Sequence, residues 1–252
     1  MSDLKNKNII VTGASSGLGR AAAIKLSYEG ARVCLVGRSE AKLKETYSLM
    51  KEREHFLLAV DLCDFKEYEI FFNNIFSSFG PLDGLVHFAG ISALVPLKVM
   101  KLKKLQEILN INLLAFFELT KYFSKDKYFN KLGASIIGAS SVSSLRGAPA
   151  LSGYSCSKAA LDGAVRSLAC ELATKKIRIN SIAPGFVKTP MGDEVLKTLS
   201  PEATDKILSA HPLGIGTPED IANLVTFLLS DSARWITGAT ICIDGGFSIS
   251  SQ

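Results

Sequence analysis

The 252 residues are 47% hydrophobic and 21% charged, with a net charge of +5, a balance ordinary for a soluble globular enzyme. A chain of this length suits one large α/β domain or two small ones, and it buries enough surface to fold without a disulfide or metal staple. So modest a basic excess, without interleaved exposed aromatics, excludes a nucleic-acid footprint, and no apolar stretch reaches the roughly 20 residues that span a bilayer.

Residues 1–8 lack the apolar core and small-residue cleavage site of a secretory signal, so cytoplasmic residence is the expectation. Cys34, Cys63, Cys156, Cys170 and Cys242 are scattered and form no Cys-x-x-Cys pair. They read as buried, reduced thiols, and with only three His beside them no metal site is expected.

Short β-branched runs follow at 8–11, 32–36, 56–60, 84–88, 135–139, 177–182 and 240–243. They are apolar on both faces, which suits strands covered by helices on either side of a parallel sheet. Segments long enough for crossover helices separate them, and no linker divides the chain. The pattern predicts an α/β fold, a single doubly wound Rossmann-type domain over 1–252. Strand order does not follow from it.

After the first run comes Thr12-Gly13-Ala14-Ser15-Ser16-Gly17-Leu18-Gly19, then a helical stretch over 20–28. Glycines at a strand-to-helix turn let the backbone approach a ligand, and the helix N-terminus offers free N–H groups to a pyrophosphate. At the end of the second run, where an acid would take a ribose 2′-hydroxyl, stands Arg38. A guanidinium there pairs with a 2′-phosphate, so NADP(H) is expected over NAD(H), with NAD(H) as the alternative. Asp61 and Leu62, closing the third run, are placed to touch the adenine. Lys98, Lys101, Lys103 and Lys104 read as a solvated helix start.

Asn112 falls within a helical pattern over 103–123, where an Asn is a poor helix former and either faces solvent or has a specific task. Ser140 and Ser141 end the small-residue fifth run, and either hydroxyl would reach a substrate oxygen there. Thirteen residues after Ser141, Tyr154 opens a helical run to about residue 173. Lys158, one turn on, lies on the same helical face. A neighbouring ammonium is expected to pull the phenol down from its ordinary pKa of about 10, toward proton exchange near neutrality. The last stretch, 184–235, has two or three helical patterns and no strand. Residues 186–216 within it read as a substrate lid, or else as a merely structural helical hairpin; the helical pattern over 191–209 is interrupted at Pro201, and Phe186, Met191, Val195, Leu196 and Leu199 suggest a partly apolar pocket.

Together these motifs resemble the short-chain dehydrogenases/reductases over essentially the whole chain. The matching elements are Thr12-Gly13-x3-Gly17-x-Gly19, Asp61, Ala89-Gly90, Asn112, Ser141, Tyr154-x3-Lys158, Asn180-x3-Pro184-Gly185 and Asp244-Gly245-Gly246. The resemblance implies the strand order 3-2-1-4-5-6-7 and interconversion of a carbonyl and a secondary alcohol. It implies that Gly13, Ser15, Ser16, Gly17, Leu18 and Gly19 line the cofactor phosphates, with Ala89 and Gly90 nearby. Pro184, Gly185, Val187 and Thr189 would pack on the nicotinamide, and Lys158 would bind its ribose. Tyr154 would exchange the proton, Ser141 rather than Ser140 would orient the carbonyl, and Asn112 would hold a water in a relay through Lys158. A homo-oligomer, tetramer or dimer, built partly on the helices carrying Asn112 and Tyr154, is implied as well.

The general likeness is greatest to 3-oxoacyl-(acyl-carrier-protein) reductases, with Lys131 and Lys175 where those enzymes face an acidic carrier protein. A dehydrogenase of a sugar, polyol or steroid-like alcohol is the alternative, acting on a small-molecule substrate. A non-catalytic NADP(H)-binding sensor or scaffold is the reading from another class. Two departures stand out: His87-Phe88 replaces the family's Asn-Asn, where His87 is read as structural, and no Arg follows His211-Pro212-Leu213-Gly214.

Overall fold

The computed structural model describes residues 4–250. Seven parallel strands, β1 (Asn8–Thr12), β2 (Arg32–Gly37), β3 (Phe56–Ala59), β4 (Gly84–His87), β5 (Ala134–Ala139), β6 (Ile177–Pro184) and β7 (Thr240–Ile243), form one sheet in the order β3-β2-β1-β4-β5-β6-β7. Each sequence-predicted run became a strand, with no end moved by more than two residues.

The sheet is apolar on both faces because consecutive side chains of one strand enter different cores. Ile10, Leu85 and Ile136 pack on one side with α3 (Tyr68–Phe79), α5 (Ala115–Phe123) and α6 (Ser152–Leu172). Ile9, Val11, Val86 and Ile137 pack on the other with α1 (Gly17–Tyr28) and α9 (Pro218–Leu229). The first core is built on Phe72, Phe116 and Phe123, all fully buried, each stabilising by about 1.5–3 kcal/mol relative to exposure. The edge strands β3 and β7 depart from the pattern and are only half-buried.

The predicted helix over 103–123 is three pieces. α4 (Leu102–Leu109) runs into a π turn, Asn110–Leu114, before α5 begins, and Ala115 N–H donates to the Asn110 carbonyl five residues back. Toward the C-terminus, α7 (Pro190–Lys197) and α8 (Pro201–Ser209) form a hairpin, and Pro201 opens the second helix rather than breaking one. At N1 the missing N–H and fixed φ of proline suit a helix start. α2 (Glu40–Ser48) lies between β2 and β3 in the chain. Of the cysteines only Cys34 is buried; Cys63 is half-buried, and Cys156, Cys170 and Cys242 are exposed, a correction to the buried set expected from sequence.

Candidate active site

Strand order reverses between β1 and β4, and ligands of open α/β sheets bind at the carboxyl ends of strands beside such a point. A cavity of about 860 Å³ opens there, within the roughly 300–1,000 Å³ of ligand clefts. Gly13 leaves β1 with φ +67°, and a Cβ on it would stand 2.7 Å from the Ala89 nitrogen. A Cβ on Gly19 would stand 2.3 Å from the Gly13 carbonyl oxygen, so only glycine lets α1 start this close to the strand.

Ser16 occupies the N-cap of α1 with no capping bond from its side chain, and the first turn carries no acid. The N–H groups there are open to an anion. From behind, the Arg20 guanidinium donates to the Ser15 carbonyl at 2.7 Å and to Glu45 at 2.9 Å, while the Thr46 hydroxyl donates to the Ala14 carbonyl at 2.8 Å. Arg38 lies exposed after β2, at the cavity wall, and forms no ion pair with any described residue. Asp61 and Leu62 line the same end from the turn after β3 rather than from the strand itself; Asp61 accepts from Cys63 N–H at 2.9 Å.

His87 replaces the expected amide without becoming a base. Its Nε2 donates to the Ile111 carbonyl at 3.2 Å, so Nδ1 accepts the Thr12 hydroxyl proton at 2.9 Å; Thr12 Oγ1 in turn accepts from Ala89 N–H at 3.2 Å. Burial first, then the charge of Lys158, push its pKa down to about 3. The ring ties the phosphate turn to the π turn. In that turn the Asn112 side chain is wholly engaged: Oδ1 accepts from Ile91 N–H, and Nδ2 donates to the Ile91 carbonyl and to Ser157. Asn112 therefore lies beside the cavity rather than in its wall. A point above Gly90 is 2.9 Å from Asn112 Oδ1 and 3.8 Å from Lys158 Nζ, so the two flank Gly90.

Ser141, Tyr154 and Lys158 all line the cavity. Lys158 is buried and donates from Nζ to the Ala139 carbonyl at 2.6 Å, with Nζ 5.6 Å from the centre of the Tyr154 ring. Burial pulls the lysine down to about 8, opposed by Asp162. The phenol is pushed up from its ordinary value, again by burial, against a hydrogen bond with Ser141 that lowers it. This corrects the sequence expectation of a phenol lowered by the ammonium: burial raises it, and Lys158 Nζ is turned to the Ala139 carbonyl. Ser140 and Ser141 diverge. Ser141 reaches the phenol, whereas the Ser140 hydroxyl donates to Asp162 at 2.9 Å.

Opposite these residues stands the C-terminal region. Pro184, Gly185, Val187 and Thr189 line the cavity, and Thr189 caps α7 by accepting from Gly192 N–H at 3.1 Å. Phe186, Met191 and Val195 give an apolar wall; Leu196 and Leu199, expected there from sequence, do not line it. His211 is the residue that sequence reasoning missed. Its Nε2 accepts from Phe186 N–H at 3.0 Å and its Nδ1 donates to the Ile207 carbonyl at 2.7 Å. Its ring stacks on Phe247 at 4.5 Å, and the Arg146 guanidinium lies over the other ring at 4.7 Å, donating to the Phe247 carbonyl. No motif marks Arg146 or Phe247, because their contact spans 101 residues.

The family model described as Enoyl-(Acyl carrier protein) reductase matches residues 13–248. The 3-oxoacyl-(acyl-carrier-protein) reductase of Rickettsia felis is 38% identical over 247 residues, covering 98% of each chain. That of Thermotoga maritima is 35% identical, covering 98% of this chain and 99% of its own. A solved short-chain dehydrogenase/reductase of Serratia marcescens, a double mutant, superposes with a TM-score of 0.89 at 29% identity, over 98% of this chain and 99% of that one. The chain belongs to the short-chain dehydrogenase/reductase family. As a short-chain dehydrogenase/reductase it is an oxidoreductase that works with a nicotinamide cofactor. One of its departures from the family pattern now has physical content: His87 supplies two hydrogen bonds where an amide is usual.

Proposed function

We propose that this oxidoreductase reduces 3-oxoacyl thioesters carried on an acyl carrier protein and prefers NADPH. The observation that supports it most is the convergence of Ser141, Tyr154 and Lys158 with the glycine turn and Arg38 on one cavity. The uncapped N-terminus of α1 and the backbone approach at Gly13 and Gly19 fit a pyrophosphate, and Arg38 fits a 2′-phosphate. When bound, the nicotinamide supplies the hydride for reduction and takes it back in oxidation.

The remaining steps belong to side chains. The Ser141 hydroxyl orients the carbonyl oxygen, and Tyr154 gives up its Oη proton to the new alkoxide. Lys158, once its Nζ turns from the Ala139 carbonyl, favours the phenolate left behind. Asn112 holds the π turn beside Lys158, where a water relay would run. The fold acts as a single domain, with residues 186–216 as a lid over the acyl end, and Phe186, Met191 and Val195 as the apolar wall for the chain.

The carrier protein is supported by the names of the curated relatives and by one surface. Lys131 and Lys175, distant in sequence, meet on Asp126, each at 3.1 Å, and both remain accessible to solvent. An acidic partner would compete with Asp126 for them. Cytoplasmic residence and assembly into a homo-oligomer, tetramer or dimer, belong to the same reading. Leu114 and Phe117, exposed where the π turn meets α5, offer apolar surface for a second copy.

The test is cofactor oxidation with a 3-oxoacyl group on carrier protein and on a pantetheine fragment. We expect NADPH to exceed NADH, and Lys131→Glu with Lys175→Glu to slow only the carrier-bound substrate. NADPH binding without turnover of either thioester would overturn the substrate and direct the search to sugar, polyol or steroid-like alcohols.

A further inference from the structure

Asp162 lies one turn beyond Lys158 on α6 and is 5% exposed, a burial that carboxylates tolerate only with partners. It forms no ion pair within the described residues. Instead Oδ2 accepts from the Ser140 hydroxyl at 2.9 Å, and Oδ1 from the Ser181 hydroxyl at 2.7 Å. Ser181 Oγ also lies 2.8 Å from Thr240 Oγ1, and Ser144 Oγ lies 3.3 Å from Ser140 Oγ. Both oxygens act as acceptors, the pattern of an ionised carboxylate. Ser140, just past the end of β5, and Ser181 of β6 thus hold a negative charge on the helix that carries Tyr154 and Lys158.

Lys158 needs such a charge. Its side chain is buried, and its donor contact is a neutral carbonyl, that of Ala139, next to Ser140. A buried ammonium is lost as a proton unless an opposite charge offsets its desolvation. We infer that Asp162 is the buried counter-charge of the catalytic pair, a positioning residue that keeps Lys158 an ammonium beside Tyr154 while touching neither substrate nor cofactor.

The surroundings leave this role to Asp162. At Asp162 the end of β5, β6 and the turn at 142–144 contribute the neutral hydroxyls of Ser140, Ser181 and Ser144, while the Arg178 guanidinium of β6 is turned to the Leu228 and Ser230 carbonyls. β7 presents Thr240 and the thiol of Cys242, which Asp162 helps to push up, behind burial and Asp244. From β4, His87 is neutral. On α6 itself, Tyr154 and Lys158 are the reacting groups.

The inference rests on reading Tyr154 and Lys158 as the reacting pair, so its deciding readout uses no substrate. Lysine side-chain NMR follows the Lys158 titration, with the signal assigned by its loss in Lys158→Met. In Asp162→Asn the midpoint is expected to fall by about one pH unit, while Asp162→Glu keeps it near the wild-type position. Should the Asn variant fold poorly, Asp162→Ser gives the same neutral test with a hydroxyl able to meet Ser140 and Ser181. In carbonyl reduction, the alkaline limb of kcat/KM moves down by the same amount, a roughly tenfold loss one unit above it. A Lys158 midpoint unmoved in both neutral variants, with only the melting temperature lowered, would overturn the inference. A shifted midpoint in a protein that reduces no carbonyl would instead overturn the functional reading and leave the counter-charge intact.

Discussion

The turn after β1 and the hairpin of α7 and α8 face each other across one cavity, and they are held in different ways. The turn is fixed from every side: Gly13 and Gly19 admit no Cβ, Arg20 and Thr46 bond its carbonyls, and α1 buries Ala22, Ala23 and Leu26 behind it. Neither α7 nor α8 has a buried residue. The hairpin is pinned at its roots, by the Thr189 cap, the Val187–Gly216 bridge and His211. Segments with few buried contacts open at low free energy. The contrast assigns cofactor binding and proton transfer to rigid, packed elements, and selection of the substrate to a segment able to move.

That division can be broken from the rigid side first. Gly19→Ala forces a Cβ against the Gly13 carbonyl, and is expected to cost about 1–3 kcal/mol of stability. NADPH affinity should fall about 100-fold, the loss of the pyrophosphate contacts being worth about 2.7 kcal/mol. Calorimetry and titration with NADPH check both. Arg38→Glu leaves the turn intact and acts on one group of the cofactor: the kcat/KM for NADPH should drop about 10–100-fold, with that for NADH unchanged or higher.

From the other side, His211→Ala leaves Phe186 N–H and the Ile207 carbonyl without their partner. KM for the acyl substrate should rise about tenfold while the Kd of NADPH stays where it was. Equal changes in both constants would mean that the hairpin and the turn are one unit. The smallest effect is one of pH. Lys158, lowered by burial to about 8, is charged below that pH and neutral above it, whereas the raised phenol keeps its proton throughout. The kcat/KM for carbonyl reduction should therefore be flat up to about pH 8 and decline beyond it.

The two regions also differed in what the sequence made legible. Strands buried on both faces announce themselves, and the glycine turn and the Tyr154–Lys158 spacing are local patterns that survive as written. From sequence the π turn at Asn110–Leu114 reads as plain helix, because no local residue pattern marks a single turn closed by i→i+5 bonds. What is set by long-range contact was not legible. Ser140 turns to Asp162, His211 stacks on Phe247, and Arg146 reaches Phe247 only after the chain has closed. The direction of the Tyr154 shift belongs to the same class, because it depends on how deeply the phenol lies and on where Lys158 Nζ points.

The most direct test of the account is Tyr154→Phe, measured for both NADPH binding and reduction of a 3-oxoacyl thioester. The rigid half predicts an unchanged Kd for NADPH and a kcat lowered by about 10²–10⁴-fold, because the phenol hydroxyl carries the proton and nothing else in the cavity replaces it. Equal rates in the two proteins would contradict it, and would remove Tyr154 from the chemistry.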